Sequence, residues 1–242
     1  MPSSSREDFD AYAARYKEVV QASFAIPGLP LDFFTQFKAE MLAGLIHRYI
    51  ARPLSEIRIL DVGCGVGETD ALLLGQFPRI FGTDVSLESL SFAQIKNPTL
   101  HYLGSDGISL PFRGASVTAA VAINVMHHIP PRYWQIFLAE VARVVAPDGL
   151  VAIFEHNPLN PLTRKNVRSC AFDRDAVLIP RRDMLQMAEK AGLKPVESGY
   201  VLFFPFQRPV FRLLERALRA IPLGAQYYVA ARKVSSMGGR DG

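Results

Sequence analysis

Residues 59–67 read Ile59-Leu60-Asp61-Val62-Gly63-Cys64-Gly65-Val66-Gly67, a short apolar run that ends with glycine at alternate positions. This pattern predicts a strand over about 57–62 that hands the chain to a helix through a tight turn. Glycines at such a turn let the backbone approach a ligand that side chains would hold away. The spacing is GxGxG. The dinucleotide fingerprint GxGxxG would need glycine at 68, where the chain has Glu68, and a carboxylate beside a helix N-terminus is a poor host for a pyrophosphate. No Gly-Lys-Ser/Thr follows, which excludes a P-loop.

Outward from the turn, strand and helix alternate. A helix is expected over about 68–77, then a strand over 79–83 ending at Asp84. Next come a helix over 87–96 behind the N-cap candidate Ser86 and a strand over 100–103, closing at Ser105-Asp106-Gly107. Residues 117–123 are almost wholly apolar, as in a strand covered on both faces. Pro131 opens a helix running to about Val145, and Pro147-Asp148-Gly149 turns the chain into a strand over 150–155. Such alternation predicts an α/β fold, a parallel sheet with helices on both sides and its site at the carboxyl ends of the strands.

Upstream, helical spacing runs from Phe9 to Val20 and, after the break Ile26-Pro27-Gly28-Leu29-Pro30, from Leu31 to about Ala51. Residues 1–51 therefore read as an N-terminal helical lid on a main domain, 52–242. Residues 157–180 read as an irregular insert that shapes the substrate site. A helix over 182–191 stopped by Gly192, a strand near 195–204, an amphipathic helix over about 209–221 and a strand over 225–233 complete the chain.

The 242 residues are 49% hydrophobic and 21% charged, enough for one packed domain with a small lid and contrary to disorder. A net charge of +4 is too small to argue for nucleic acid. Cys64 and Cys170 are the only cysteines, which excludes a disulfide framework or a structural zinc site and suits a reducing cytoplasm. The start, MPSSSREDFD, has no apolar h-region, and no run of 18 apolar residues occurs anywhere. A soluble cytoplasmic protein, at most peripheral to a membrane, is expected, with no metal.

Asp84 closes the second strand, where an acid can accept both hydroxyls of a ribose; the alternative is that it turns or caps the next helix. Taken together, ILDVGCGVGETD (59–70), GTDVS (82–86), GSDGISLPF (104–112), INVMHHI (123–129) and EVARVVAPDGL (140–150) resemble the class I S-adenosylmethionine-dependent methyltransferases, in particular their small-molecule group. The resemblance covers roughly residues 57–155 and says nothing of the substrate. It implies a Rossmann-like three-layer sandwich whose mostly parallel, seven-stranded sheet ends in an antiparallel strand. It also implies S-adenosylmethionine as cofactor and S-adenosylhomocysteine as product. Carried onto this sequence, Asp61 with the backbone of Gly63, Cys64 and Gly65 would hold the methionine part, Asp84 the ribose, and Val85 the adenine face. Asp106 would accept from the adenine amino group beside the Gly107 backbone, and Asn124 would meet the methionine amino group through its backbone. Many relatives carry Phe-Asp before the fourth strand, where this chain has Val117-Thr118 at a structural position.

Methyl transfer is an in-line displacement at a sulfonium, so the protein's task is to align the acceptor and sometimes to deprotonate it. In related enzymes the position of His127 faces the methyl group, whereas that of His128 packs inward. His127 is thus the candidate base, as a neutral imidazole of ordinary basicity, against the alternative of a structural histidine. Glu155 and His156 end the fifth strand and are candidates to bind an acceptor hydroxyl or amine, or else begin a solvated loop. Tyr16 would close over the cofactor, as a tyrosine of this segment does in related enzymes, unless it simply packs on the core.

The 209–221 helix places Val210, Phe211, Leu214, Ala217, Leu218 and Ile221 opposite Arg212, Glu215, Arg216 and Arg219. Its apolar face is expected in the core, with an anionic membrane surface or a greasy pocket as the alternative. This tail also resembles that of methyltransferases of sugar-polymer or lipid-linked biosynthesis, which adds a hydrophobic or lipid-linked acceptor to the small molecules considered. A nucleic-acid enzyme would be expected to show Asn-Pro-Pro-Tyr after the fourth strand, unlike Ile123-Asn124-Val125-Met126. A non-catalytic scaffold would not need Asp61, Gly63, Gly65, Asp84 and Asp106 all intact.

Overall fold

The computed structural model describes residues 9–10, 31–170, 173, 175–204 and 209–234. Its elements, in order, are α1 (Leu31–Tyr49), β1 (Arg58–Val62), α2 (Glu68–Leu73), β2 (Arg79–Asp84), α3 (Leu87–Lys96), β3 (His101–Gly104) and β4 (Val117–Ile123). They continue with α4 (Trp134–Val144), β5 (Val145–His156), α5 (Pro161–Ser169), α6 (Arg181–Lys190), β6 (Leu193–Val201), α7 (Pro209–Leu218) and β7 (Gln226–Lys233). The seven strands form one sheet in the order β3-β2-β1-β4-β5-β7-β6. The first five pair in parallel, and β7 runs antiparallel between β5 and β6. This is the Rossmann-like, mostly parallel sheet with a reversed last strand. Strand order turns around between β1 and β4, which opens a crevice at their carboxyl ends.

Alternation along the central strands feeds two cores. Leu60, Val62, Ala120, Ala122, Val151 and Ile153 face one side, where α4 and α6 bury Phe137, Leu138, Val141, Met184 and Ala188. Ile59, Ala119, Val121, Ala152, Phe154 and Tyr228 face the other, against Leu42, Leu45 and Ile46 of α1 and Leu73 of α2. Being covered twice, β4 is apolar throughout. This second cluster joins α1 to the sheet. The end of α1 is fastened by Glu197 of β6, whose carboxylate accepts from Arg48, from Tyr49 OH (3.1 Å) and from Tyr228 OH (2.6 Å).

Three expectations change. The strand expected at 150–155 begins at Val145 and carries the Pro147-Asp148-Gly149 turn as an irregularity, with Asp148 at φ 61° and a register shift opposite Val117 and Ala119. The stretch expected to be irregular, 157–180, holds the nine-residue helix α5. Asn160 caps it by accepting from the Leu162 and Thr163 amides, and Pro161 takes the first turn, where no amide donor is needed.

The third change concerns α7. Its inward residue is an acid: Glu215 is 7% exposed and accepts from the amides of Leu202, Phe203 and Phe204. Of the residues expected inward, Leu214 (39%) and Ile221 (41%) are exposed instead. The three bare amides that follow β6 demand an acceptor, and satisfying them outweighs burying those two side chains. Among the described residues no helix is long and apolar enough to cross a membrane.

Candidate active site

The turn after β1 is built on positive φ values at Gly63 (79°), Gly65 (53°) and Gly67 (70°), conformations that a side chain disfavours. A Cβ on Gly63 would come 2.4 Å from Cγ2 of Val125, so the turn lies directly against the loop that follows β4. Over Gly65 the space is open to 4 Å. The turn is tied to β2: Gly63 N and Cys64 N donate to Thr83 O at 2.7 and 2.9 Å. Asp84 accepts from Gly65 N (2.8 Å) and Ser86 N (2.9 Å), while Ser86 Oγ caps α3 by accepting from Ser89 N (3.0 Å). Asp84 thus turns the chain, and a carboxylate oxygen can accept more than one donor.

Below the turn, Asp61 is 3% exposed and its Oδ1 has no hydrogen-bond partner. Burial and the neighbouring Asp70 push its carboxyl well above the usual range. Asp70 accepts from Tyr102 OH (3.0 Å), yet burial raises it to about 6. Two adjacent carboxyls in a dry setting invite a cation. Burial also pushes up the half-buried Cys64 thiol, which makes it a poor nucleophile. On the β3 side, Asp106 is exposed and accepts from Ile108 N (2.9 Å) and Ser109 N (3.0 Å), and Gly107 has φ 75° against the Phe137 ring. Val85 is half-buried after β2.

The loop after β4 links this cradle to a second group. Asn124 has φ 57°, strained for a residue with a side chain, and its buried Oδ1 has no hydrogen-bond partner. Three residues on, His127 is 1% exposed, and its Nδ1 lies 2.6 Å from Oε2 of the equally buried Glu155. The other Glu155 oxygen accepts from Val125 N (3.2 Å) and Met126 N (2.8 Å). The His127 and His156 rings stand 5.0 Å apart, and His156 Nδ1 is 3.5 Å from Gln226 Nε2. His127, Glu155 and His156 are therefore brought together, four residues or fewer from Asn124 along the β4 loop or directly across on β5. Tyr16 lies outside the described residues.

The setting of His127 differs from the expected neutral imidazole. Burial alone would lower its pKa, but Glu155 and Asp173 beside it outweigh burial and hold it at about 10. Asp173 Oδ1 lies 3.6 Å from His127 Nε2. His156, desolvated and next to that charge, is held down at about 4 and stays neutral.

Two residues of this group were not foreseen. Lys38 is 7% exposed, and burial brings its amine down to about 8 against the pull of Glu155 and Asp61. A lysine in register with Phe34, Met41 and Leu45 on the apolar face of α1 was the available signal. Asp173 has no such signal, since it arrives from the far end of the 157–180 stretch.

A family model described as a methyltransferase domain matches residues 60–153. An O-methyltransferase of Penicillium expansum is 27% identical over 173 residues, which is 67% of this chain and 62% of that protein. A fatty-acid O-methyltransferase of Mycolicibacterium smegmatis is 30% identical over 105 residues, 42% of this chain and 38% of that protein. The chain thus spans less than two thirds of either relative. In fold it is similar to the magnesium protoporphyrin IX methyltransferase of Synechocystis solved with bound SAH, at a TM-score of 0.68 and 13% identity over 94% of this chain and 97% of that one.

Proposed function

We propose that this chain is a class I S-adenosylmethionine-dependent methyltransferase that binds its cofactor over residues 63–67 and passes its methyl group to a small molecule held beside His127. The observation that carries the reading is a junction. A glycine cradle with orphaned buried oxygens at Asp61 and Asn124 runs, within a few residues, into a buried imidazole–carboxylate pair.

The residues present fit the cofactor. The open space over Gly65 admits a ligand where a Cβ would otherwise lie, and Asp61 Oδ1 and Asn124 Oδ1 lack partners that an ammonium could supply. Asp61 with Asp70 would offset the cationic end, and Lys38 is placed to pair with a carboxylate. The Asp84 carboxylate suits two ribose hydroxyls, with Val85 and Gly107 flanking the base and Asp106 accepting from it. When bound, the cofactor supplies an electrophilic methyl on a sulfonium, so these residues need only orient it and exclude water. At the acceptor end, Glu155 orients His127, and His156 stands beside it. These three are the proposed catalytic group: they align the acceptor with the methyl group.

The acceptor we favour is hydrophobic or lipid-linked. Leu159 (60% exposed), Leu162 (52%) and Leu223 (60%) lie where β5 ends and β7 begins, joined by the Asn160 Nδ2 donation to Leu223 O. With Leu213, Leu214 and Arg216 of α7, such a surface suits peripheral contact with an anionic membrane. No observation favours a scaffold without catalysis.

Titration of the full chain with S-adenosylhomocysteine by calorimetry tests the reading. The wild type is expected to bind, and Asp84→Ala to lose about 10–100-fold, the worth of one or two charged hydrogen bonds. A folded wild type that binds neither cofactor nor product overturns it.

A further inference from the structure

His127 and His128 are consecutive on a single 3-10 turn, Met126–His128, with their rings 4.1 Å apart. Asp173 Oδ1 faces both, 3.6 Å from His127 Nε2 and 3.3 Å from His128 Nε2. One ligand atom from each of the three residues lies within 4.8 Å of the others. Two atoms bound about 2.1 Å from a shared ion stand about 3.0–3.4 Å apart, the span between octahedral and tetrahedral angles. The two histidine–Asp173 separations, 3.6 and 3.3 Å, lie in or just beyond that span, and the third is within 4.8 Å.

His127 carries the second observation. Its Nε2 is buried, has no hydrogen-bond partner and points toward Asp173, while Nδ1 is committed to Glu155. Metal-bound histidines characteristically give their outer ring N–H to a carboxylate, which fixes the tautomer and turns the other nitrogen's lone pair inward. Charge agrees as well. Asp173 faces this point and Glu155 lies across the His127 ring from it, so a divalent ion would balance two nearby carboxylates where one imidazolium balances one.

We propose that His127, His128 and Asp173 form a three-ligand site for a divalent transition-metal cation of the zinc class, with Glu155 as the residue that positions His127. Two imidazoles and one carboxylate suit zinc, cobalt or iron(II) rather than magnesium or calcium, which take oxygen ligands. Three protein ligands leave a position open. The site itself does not depend on the methyltransferase reading; its use does. An acceptor hydroxyl at the open position would release its proton to water and keep the electron pair on oxygen. His127 would then act as a ligand and would not have to be a base.

Cobalt(II) added to the metal-free full chain tests this, read by visible absorption and calorimetry. One equivalent is expected, with the bands of a low-coordinate imidazole site and displacement by zinc. Asp173→Ala and His128→Ala should each weaken binding at least about 10-fold, and Glu155→Gln about 10–100-fold. S-adenosylhomocysteine affinity in the first two variants should stay near wild type, which shows that they fold. A wild type that binds S-adenosylhomocysteine but no cobalt overturns the site and leaves the proposed function standing. Cobalt binding that survives in both ligand variants overturns it too. Variant-sensitive cobalt binding without any cofactor binding upholds the site and sinks the function instead.

Discussion

At the carboxyl ends of β1, β2 and β3 the molecule presents glycines, backbone amides and carboxylates. At the ends of β4, β5 and β7 it presents imidazoles, a clamped Glu155 and a rim of exposed leucines. The first region is local: residues 61–70, 84–86 and 106–107 each lie at, or run on from, the end of their own strand. The second is assembled from Lys38, His127, Glu155, His156 and Asp173, which meet only because four segments of the fold converge. The difference teaches where specificity resides. A ligand common to a family can be held by turn geometry and main chain, whereas an acceptor particular to one protein needs side chains delivered from several places.

The sharpest way to break this comparison is to damage one end and measure the other. Replacing His127 with Asn should lower turnover about 10²–10⁴-fold, the range for a proton-handling or acceptor-aligning group, and leave product affinity in calorimetry near wild type. Loss of cofactor affinity in proportion to turnover would show that the two ends are not separable.

A smaller effect belongs to the cofactor end. The folded value of Asp70 is about 6, above the ordinary 3.8, so its ionisation costs stability: this group's contribution declines as pH rises from about 4 through 6. Asp61, Asp84 and Cys64 around it do not relieve that cost, and Lys38 remains charged below about 8. A cationic ligand does relieve it. Cofactor affinity should therefore climb with pH up to about 6, by at most about tenfold per unit, and then level off. Asp70→Asn should flatten that rise. Calorimetry across this range checks it, and an affinity that falls with pH would contradict the placing of the cationic end.

The smallest effect tests the leucine rim. Leu213→Ser and Leu223→Ser should shift stability by no more than about 0.5 kcal/mol in denaturant titrations. They should nonetheless weaken sedimentation with anionic vesicles several-fold. A large loss of stability would mean that these leucines belong to the core, and unchanged sedimentation would remove the membrane contact.

The same division governs what could be read from the sequence. The glycine spacing at 63–67, the acid at 84 and the apolar run at 117–123 announce themselves because their causes are local: backbone freedom, a strand end, burial on two faces. Asn160-Pro161 was an equally local helix start, hidden inside a stretch whose polarity suggested a loop. The orientation of α7 was not local. Its arc of apolar residues pointed to burial, but Glu215 was claimed by three amides that belong to another segment. Likewise, Glu155 and then Asp173 beside it favour a charged imidazole where a neutral one was expected, and no spacing in the chain encodes the approach of Asp173.

Glu155 gives the site a dimensional reference. One oxygen holds the Val125 and Met126 amides, and Val125 is the side chain lying on Gly63; the other oxygen holds His127. Both walls of the reaction space are thus gauged from one carboxylate. Breathing of β5 against β4 carries the two walls together, and the gap between them accumulates only the slack of three hydrogen bonds. For a displacement that tolerates little error in reach or angle, one common datum is worth more than two rigid walls set independently.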